Sequence, residues 1–168
     1  MAALGVCEKP SQLMRKENAW IEGVARMMLQ SYDWEGALES CQRILQFDPN
    51  HIGALETLAQ AQWQGGQFEN VVRTTSKLLQ LNPYEPGYRY TRGMAYTGLG
   101  RLTLAAQDFR TAMDQSHDPR FLSQVAHSLD AVEIWLEDVM QQKSERRGKL
   151  LAVGKMPVPG VGTGLRCH

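Results

Sequence analysis

Histidine and cysteine, the residue types that most often do chemistry, are thinly scattered along this chain. His51, His117, His127 and His168 show no paired-ligand spacing, and Cys7, Cys41 and Cys167 form no Cys-x-x-Cys. The terminal Cys167 and His168 supply too few ligands for a structural zinc site. No nucleophile, base and orienting group can be assembled from the motifs present. Gly160, Gly162 and Gly164 resemble a phosphate loop only superficially, because the sequence around them offers no strand before and no helix after. The sequence thus predicts no catalytic residue, no metal ligand set and no cofactor, and the chain reads as a non-enzyme. Binding chemistry is what remains, and that depends on the elements that position it.

Composition bounds those elements. With 168 residues, 43% hydrophobic and 21% charged, the chain can bury a core as one domain. A formal net charge of zero gives no reason to expect nucleic acid or an anionic membrane as partner. The charge is unevenly placed: Lys143, Arg146, Arg147, Lys149, Lys155 and Arg166 stand against Glu145 alone. That segment is therefore +5 and the rest of the chain −5. Three widely separated cysteines fit a reducing compartment better than a disulfide framework. Met1 to Pro10 has neither a basic n-region nor a useful apolar h-region, and no run approaches the ~18 apolar residues of a membrane span. The expectation is a soluble cytoplasmic protein.

A period of 34 residues organises the chain. Pro49 and Pro83 are separated by it, and so are Trp34, Phe68 and Leu102; Ala37, Val71 and Ala105; Leu45, Leu79 and Met113; Ala25, Ala59 and Gly93. Each column keeps one chemical type, bulky apolar or small. A repeat of this length predicts a solenoid of helical pairs.

Local signals give the helices. Met14, Ile21, Val24 and Met28 recur at helical steps over Ser11 to about Ser31. Trp34 to about Phe47 forms the partner helix and stops before Pro49, which lacks an amide hydrogen and pushes Asp48 out of the α region. Ile52 to Gln64, Gln67 to Leu81, Pro86 to Leu99 and Leu102 to Gln115 repeat the pattern, with Gly65 and Gly66 supplying a left-handed helix end. Asp118 and Pro119 open a last helix to about Gln142, whose stripe Leu122, Val125, Leu129, Val132, Leu136 and Val139 predicts a cap on the final repeat. The competing reading of that stripe is self-association as a short coiled coil. After Ser144 the glycines and prolines predict a mobile tail, either docked on the acidic body or solvated.

These residues resemble the tetratricopeptide repeat (TPR) family over about residues 18 to 119. Gly93, Tyr96, Gly100, Ala105, Phe109 and Ala112 of the third unit occupy family positions, as do Ala37 and Pro49 in the first and Leu55, Leu58, Ala59, Phe68 and Pro83 in the second. Departures are Ile44, Leu78 and Val71 at usually small positions, Arg89 and Arg92 in place of a bulky residue and a leucine, and His117 at the third proline position, with Pro119 two residues late. The resemblance implies an all-α, right-handed solenoid of about three hairpins (18–51, 52–85 and 86–119), with an N-terminal extension (1–17), a capping helix (120–143) and the tail (144–168).

It also implies a concave groove lined by the first helix of each pair. The family's groove positions fall on Ala19, Glu22, Arg26 and Leu29, then Gly53, Glu56, Gln60 and Trp63, then Gly87, Tyr90, Met94 and Thr97. Of these, Glu22, Arg26, Glu56, Gln60, Trp63, Tyr90 and Met94 are the candidate contacts. Trp63 and Tyr90 are anchor types, Arg26 suits a carboxylate, and the acidic pair Glu22 and Glu56 suits a ligand of basic character. Where some family members clamp a carboxylate with Lys and Asn, this chain has Glu22, Arg26 and Thr57. The function expected from the resemblance is a scaffold that binds a peptide or protein segment, with a self-assembling module as the alternative. Helical-repeat RNA binding needs a basic groove, and Glu22 and Glu56 argue against it.

Overall fold

The computed structural model describes residues 10–153, with side chains for 14–147. Among them are seven helices and no strand: α1 (Pro10–Gln30), α2 (Trp34–Phe47), α3 (Ile52–Gln64), α4 (Phe68–Leu81), α5 (Pro86–Gly98), α6 (Leu102–Gln115) and α7 (Pro119–Val153). Each packs on the next, giving an all-α solenoid of antiparallel hairpins α1–α2, α3–α4 and α5–α6, with α7 lying on α6.

One local motif sets the hairpin turns. The amides of Asp33, Gln67 and Arg101 donate to the carbonyls of Met28, Gln62 and Tyr96 at 2.9, 2.8 and 2.8 Å, again at the 34-residue interval. The residues before them, Tyr32, Gly66 and Gly100, have φ of 62°, 68° and 69°. This is a helix end closed by a left-handed residue, which satisfies the orphan carbonyls of the last turn. Gly66 takes the left-handed conformation, whereas Gly65, at φ −78°, caps α3 with negative φ. Tyr32 does the same without being glycine, its side chain out in solvent.

Between hairpins the chain stops before proline, and the next second helix reaches back to that turn. Lys77 Nζ donates to the Pro49 carbonyl and Gln115 Nε2 to the Pro83 carbonyl. His51 Nδ1 accepts from the Ala54 amide at 3.1 Å and Glu85 from the Gly87 amide at 3.3 Å, capping α3 and α5.

α7 departs from the sequence expectation. It runs about ten residues past the predicted end near Gln142, so residues 144–153 of the expected tail are helical, while 154–168 lie outside the described residues. The column that turns at Tyr32, Gly66 and Gly100 reaches Ile134 in the fourth register. A β-branched residue adopts the left-handed region at high cost, so the helix continues where a hairpin would bend. Val125 and Val132 are buried against α6, with Leu129 and Leu136 half-buried beside them. Past Leu136 the stripe runs off its support: Val139 is 40% and Met140 67% exposed.

Packing within hairpins is set by size matching. Ala25, Ala37, Ala59 and Ala105 are buried at the helix crossings. In the third hairpin the buried Phe109 takes the place of Cys41 and Thr75, and Gly93 replaces Ala25 and Ala59. A Cβ on Gly93 would lie 2.6 Å from Phe109 Cε1.

The two arginines that break the family pattern are resolved the same way. Arg92 Nε and Nη2 donate to the Asp108 carboxylate at 2.7 Å each, and Nη1 to Ser76 Oγ at 3.2 Å, tying α4, α5 and α6 together. Arg89 Nε donates to Gln115 Oε1 at 3.0 Å. The hydrogen bonds to Asp108 hold the Arg92 guanidinium above its ordinary pKa, against the opposing effect of burial. In the second hairpin the same columns hold Leu58 and Thr74, and Thr74 Oγ1 donates to Gln62 Oε1 at 2.8 Å instead. An ion pair has replaced an apolar and a hydroxyl group together.

Two predictions follow from this packing. Gly93→Ala, which in an open helix would stabilise by roughly 1 kcal/mol, should destabilise by about 1–3 kcal/mol because the Phe109 ring cannot yield; a gain in a urea melt would contradict the size matching. Arg92→Leu should cost about 3 kcal/mol by leaving the buried Asp108 carboxylate without its two short hydrogen bonds and with only Arg89 Nη1, 3.9 Å away, as counter-charge. Adding Asp108→Thr should recover more than half of that, and a double-mutant cycle showing no coupling would count against the ion pair.

Candidate functional site

The first helices do not stack evenly. α1 touches α3, and α5 touches α7, but no comparable contact joins α3 to α5. An open cleft of about 550 Å³ lies between them. Thr75 and Leu78 of α4 line it, and its walls are Glu56, Ala59, Gln60 and Trp63 of α3 with Gly87, Tyr88, Tyr90, Thr91 and Met94 of α5.

The uneven stacking is accompanied by a difference in one repeated pair. Glu22 and Glu56 are equivalent by register, as are Gly53 and Gly87. The Glu22 carboxylate closes over Gly53, where a Cβ would collide with it, and there α1 meets α3. Gly87 has no such neighbour from α3. Glu56 is instead taken by the hydroxyl of Tyr88, which donates to Oε1 and bridges the cleft at one end. Burial raises the Tyr88 pKa, reinforced by that hydrogen bond and by the charges of Glu56 and Glu85, so the phenol keeps its proton and remains a donor.

The predicted contacts divide accordingly. Glu22 is not a free acid: Arg26, one turn on, donates to Oε1. Its Oε2 lies 3.8 Å from His51 Nδ1, whose lone pair already accepts the α3 cap bond. Of the acidic pair, therefore, Glu56 alone lines the cleft. Arg26 is exposed and borders a smaller neighbouring hollow with Leu29, Gln30, Tyr32, Gln60 and Gln64. Leu29 is mostly core, at 6% exposure.

Gln60 borders both hollows, so they form one track along the first helices. Trp63 meets Phe68 edge to face, with centroids 5.2 Å apart, yet stays 37% exposed on the cleft. Both packing and groove lining describe it. Tyr90 is more structural than its sequence position suggests. Its ring lies 5.7 Å from Phe109 and 5.8 Å from Phe121, and its hydroxyl accepts from Gln124 Nε2 at 3.1 Å. It is a strut from α5 to α7 with one side left on the cleft. Met94 likewise packs on the last core cluster while lining the wall.

Tyr88 was invisible to the family pattern because it lies one step off the groove columns. Its own column reads Trp20, Ala54 and Tyr88, and two large aromatics beside an alanine were the available signal.

Cys41 is buried, and burial, then the Glu22 charge, pushes its thiol up to about 12. It is a core residue and a poor nucleophile. Among the described residues no group of three His, Cys, Asp or Glu side chains is placed to hold a metal ion, and no helix is long and apolar enough to cross a membrane.

Comparisons with known proteins agree with this architecture. The second TPR domain of human RPAP3, solved with the HSP70 peptide SGPTIEEVD, superposes with a TM-score of 0.64 at 19% identity over 71% of this chain and 98% of that one. The Yersinia enterocolitica type III secretion chaperone SycD, in complex with a peptide of the translocator YopD, gives 0.67 at 18% identity over 71% and 94%. The N-terminal domain of stress-induced protein-1 from C. elegans gives 0.60 at 18% over 68% and 95%. Such identities establish the fold, a TPR-like helical repeat. No curated protein sequence matches the chain. The family model for the TT21 fifth ARM repeats domain matches residues 18–136, from within α1 to the supported part of α7. The chain belongs to that family of helical-repeat domains.

Proposed function

We propose that this chain is a non-enzymatic interaction scaffold that binds a peptide or protein segment along the track from Arg26 to Met94. The observation that carries the reading is the cleft where α3 and α5 part, walled by Trp63, Tyr88 and Tyr90 above Leu78. Partly exposed aromatics over an apolar floor are the usual anchors of a binding surface. Gln30, Gln60 and Gln64 along the same track offer amide donors and acceptors to an extended backbone. The track is elongated and open, which fits a chain segment better than a compact metabolite. RPAP3 and SycD hold peptides on the same fold. The RPAP3 ligand ends in acidic residues, whereas the one charged side chain lining this cleft is Glu56, so a ligand of different charge is expected here.

Self-assembly through the C-terminal helix is the second reading. Leu122 to Leu136 are largely occupied by α6, which leaves Ile134, Trp135, Val139 and Met140 as exposed surface for a second copy. A mass independent of concentration in sedimentation would remove it.

A photo-cross-linking residue at Gln60 should capture a partner segment from lysate, whereas the same residue at the exposed Arg73 of α4, outside the cleft, should not. Trp63→Ala, checked for unchanged helicity, should weaken binding of the captured segment by about 2 kcal/mol, roughly 30-fold in Kd. Equal capture at both positions, or no loss on Trp63→Ala, would refute the cleft as the binding surface.

A further inference from the structure

Resting on the cleft as binding surface, we infer that it contains a cation subsite which seats a lysine side chain of the bound segment. The ammonium would lie at Glu56 beside Tyr88, with the aliphatic stem along the apolar floor toward Leu78.

Charge is the first argument. Eleven residues line the cleft, and the one carrying a formal charge is Glu56. No lysine or arginine is among them, so nothing in the lining neutralises that carboxylate. Arg26, the nearest arginine along the track, is engaged with Glu22, and Arg89 and Arg92 are turned toward Gln115 and Asp108. Tyr88, which does bond Glu56, is a neutral donor and leaves the negative charge in place. Glu85 adds to the field at Tyr88.

Aromatic content is the second. Three rings border a cleft whose floor is apolar, and ring faces attract cations, the more so where water is displaced. Tyr88 and Tyr90 are anchored at their hydroxyls, to Glu56 on one side and to Gln124 on the other, so their rings are held in place before any ligand arrives.

Hydrogen-bonding geometry selects lysine over arginine. A guanidinium is held best by both carboxylate oxygens at once. Tyr88 already occupies Oε1 of Glu56. A side-on guanidinium would therefore share Oε1 with Tyr88, whereas an ammonium can bind Oε2 and turn its other N–H groups to water in the open cleft, with the four-carbon stem of lysine along the apolar floor.

The test uses the full chain, immobilised, and four pools of acetylated, amidated heptapeptides. The central residue is lysine, norleucine, arginine or glutamate, and the other positions are mixed without charged residues. Retained peptides are counted by mass spectrometry for the parent protein, Glu56→Gln and Trp63→Ala. The subsite requires lysine peptides retained at least about 10-fold over norleucine, with arginine weaker and glutamate absent, and Glu56→Gln should remove the lysine preference while norleucine retention stays. Lysine and norleucine retained equally, but lost on Trp63→Ala, would overturn the cation subsite and keep the cleft as a binding surface. Arginine retained as well as lysine would overturn the choice of lysine. Retention insensitive to Trp63→Ala, or no retention from any pool, would overturn both.

Discussion

Two helices can approach only as closely as the side chains at their crossing allow, and that limit governs this solenoid. Alanine or glycine on each first helix lets the second come near, and the volume removed on one side is returned on the other. Gly93 against Phe109 makes the point, since a methyl group on one would enter the ring of the other. Dispersion falls steeply with even small gaps, so the three hairpins keep one geometry while exchanging residues in compensating pairs. The exchange of Leu58 and Thr74 for Arg92 and Asp108 obeys the same rule in electrostatic form: neither member is tolerable in the core without its partner.

The stack propagates through turns that need one left-handed residue each. Gly66 and Gly100 adopt it freely, and Tyr32 does so at the local cost of its Cβ against its own backbone, with its ring in solvent. Ile134 does not turn, and the array ends with α7 running on as a single helix. A local backbone preference thus sets where the repeat stops. Its consequence is a helix that packs on α6 as far as Leu136 and is exposed from Glu137 to Arg147.

The cleft arises from a small asymmetry within that regular frame. Glu22 lies over Gly53 where α1 meets α3; Glu56, its register mate, accepts from the Tyr88 hydroxyl instead, and Gly87 has no neighbour from α3. Aromatic rings, an apolar floor and a single carboxylate are what line the cleft.

Much was legible in the sequence because it is local. Helix periodicity, the prolines that stop α2 and α4, the glycine turns and the 34-residue columns each depend on a few neighbouring residues, and together they determined an all-α repeat with α1 through α6 close to their observed limits. Of the groove-column candidates, Glu56, Gln60, Trp63, Tyr90 and Met94 line the cleft. What the sequence alone did not decide is which of those side chains are free. Glu22 is claimed by Arg26, Tyr90 is fastened to α7, and Tyr88 lines the cleft from off the columns, because each outcome turns on distances between residues 4 to 34 positions apart. Only the tertiary structure fixes those distances, since register assigns a residue to a face but the competition among neighbours for each hydrogen bond determines what that face presents.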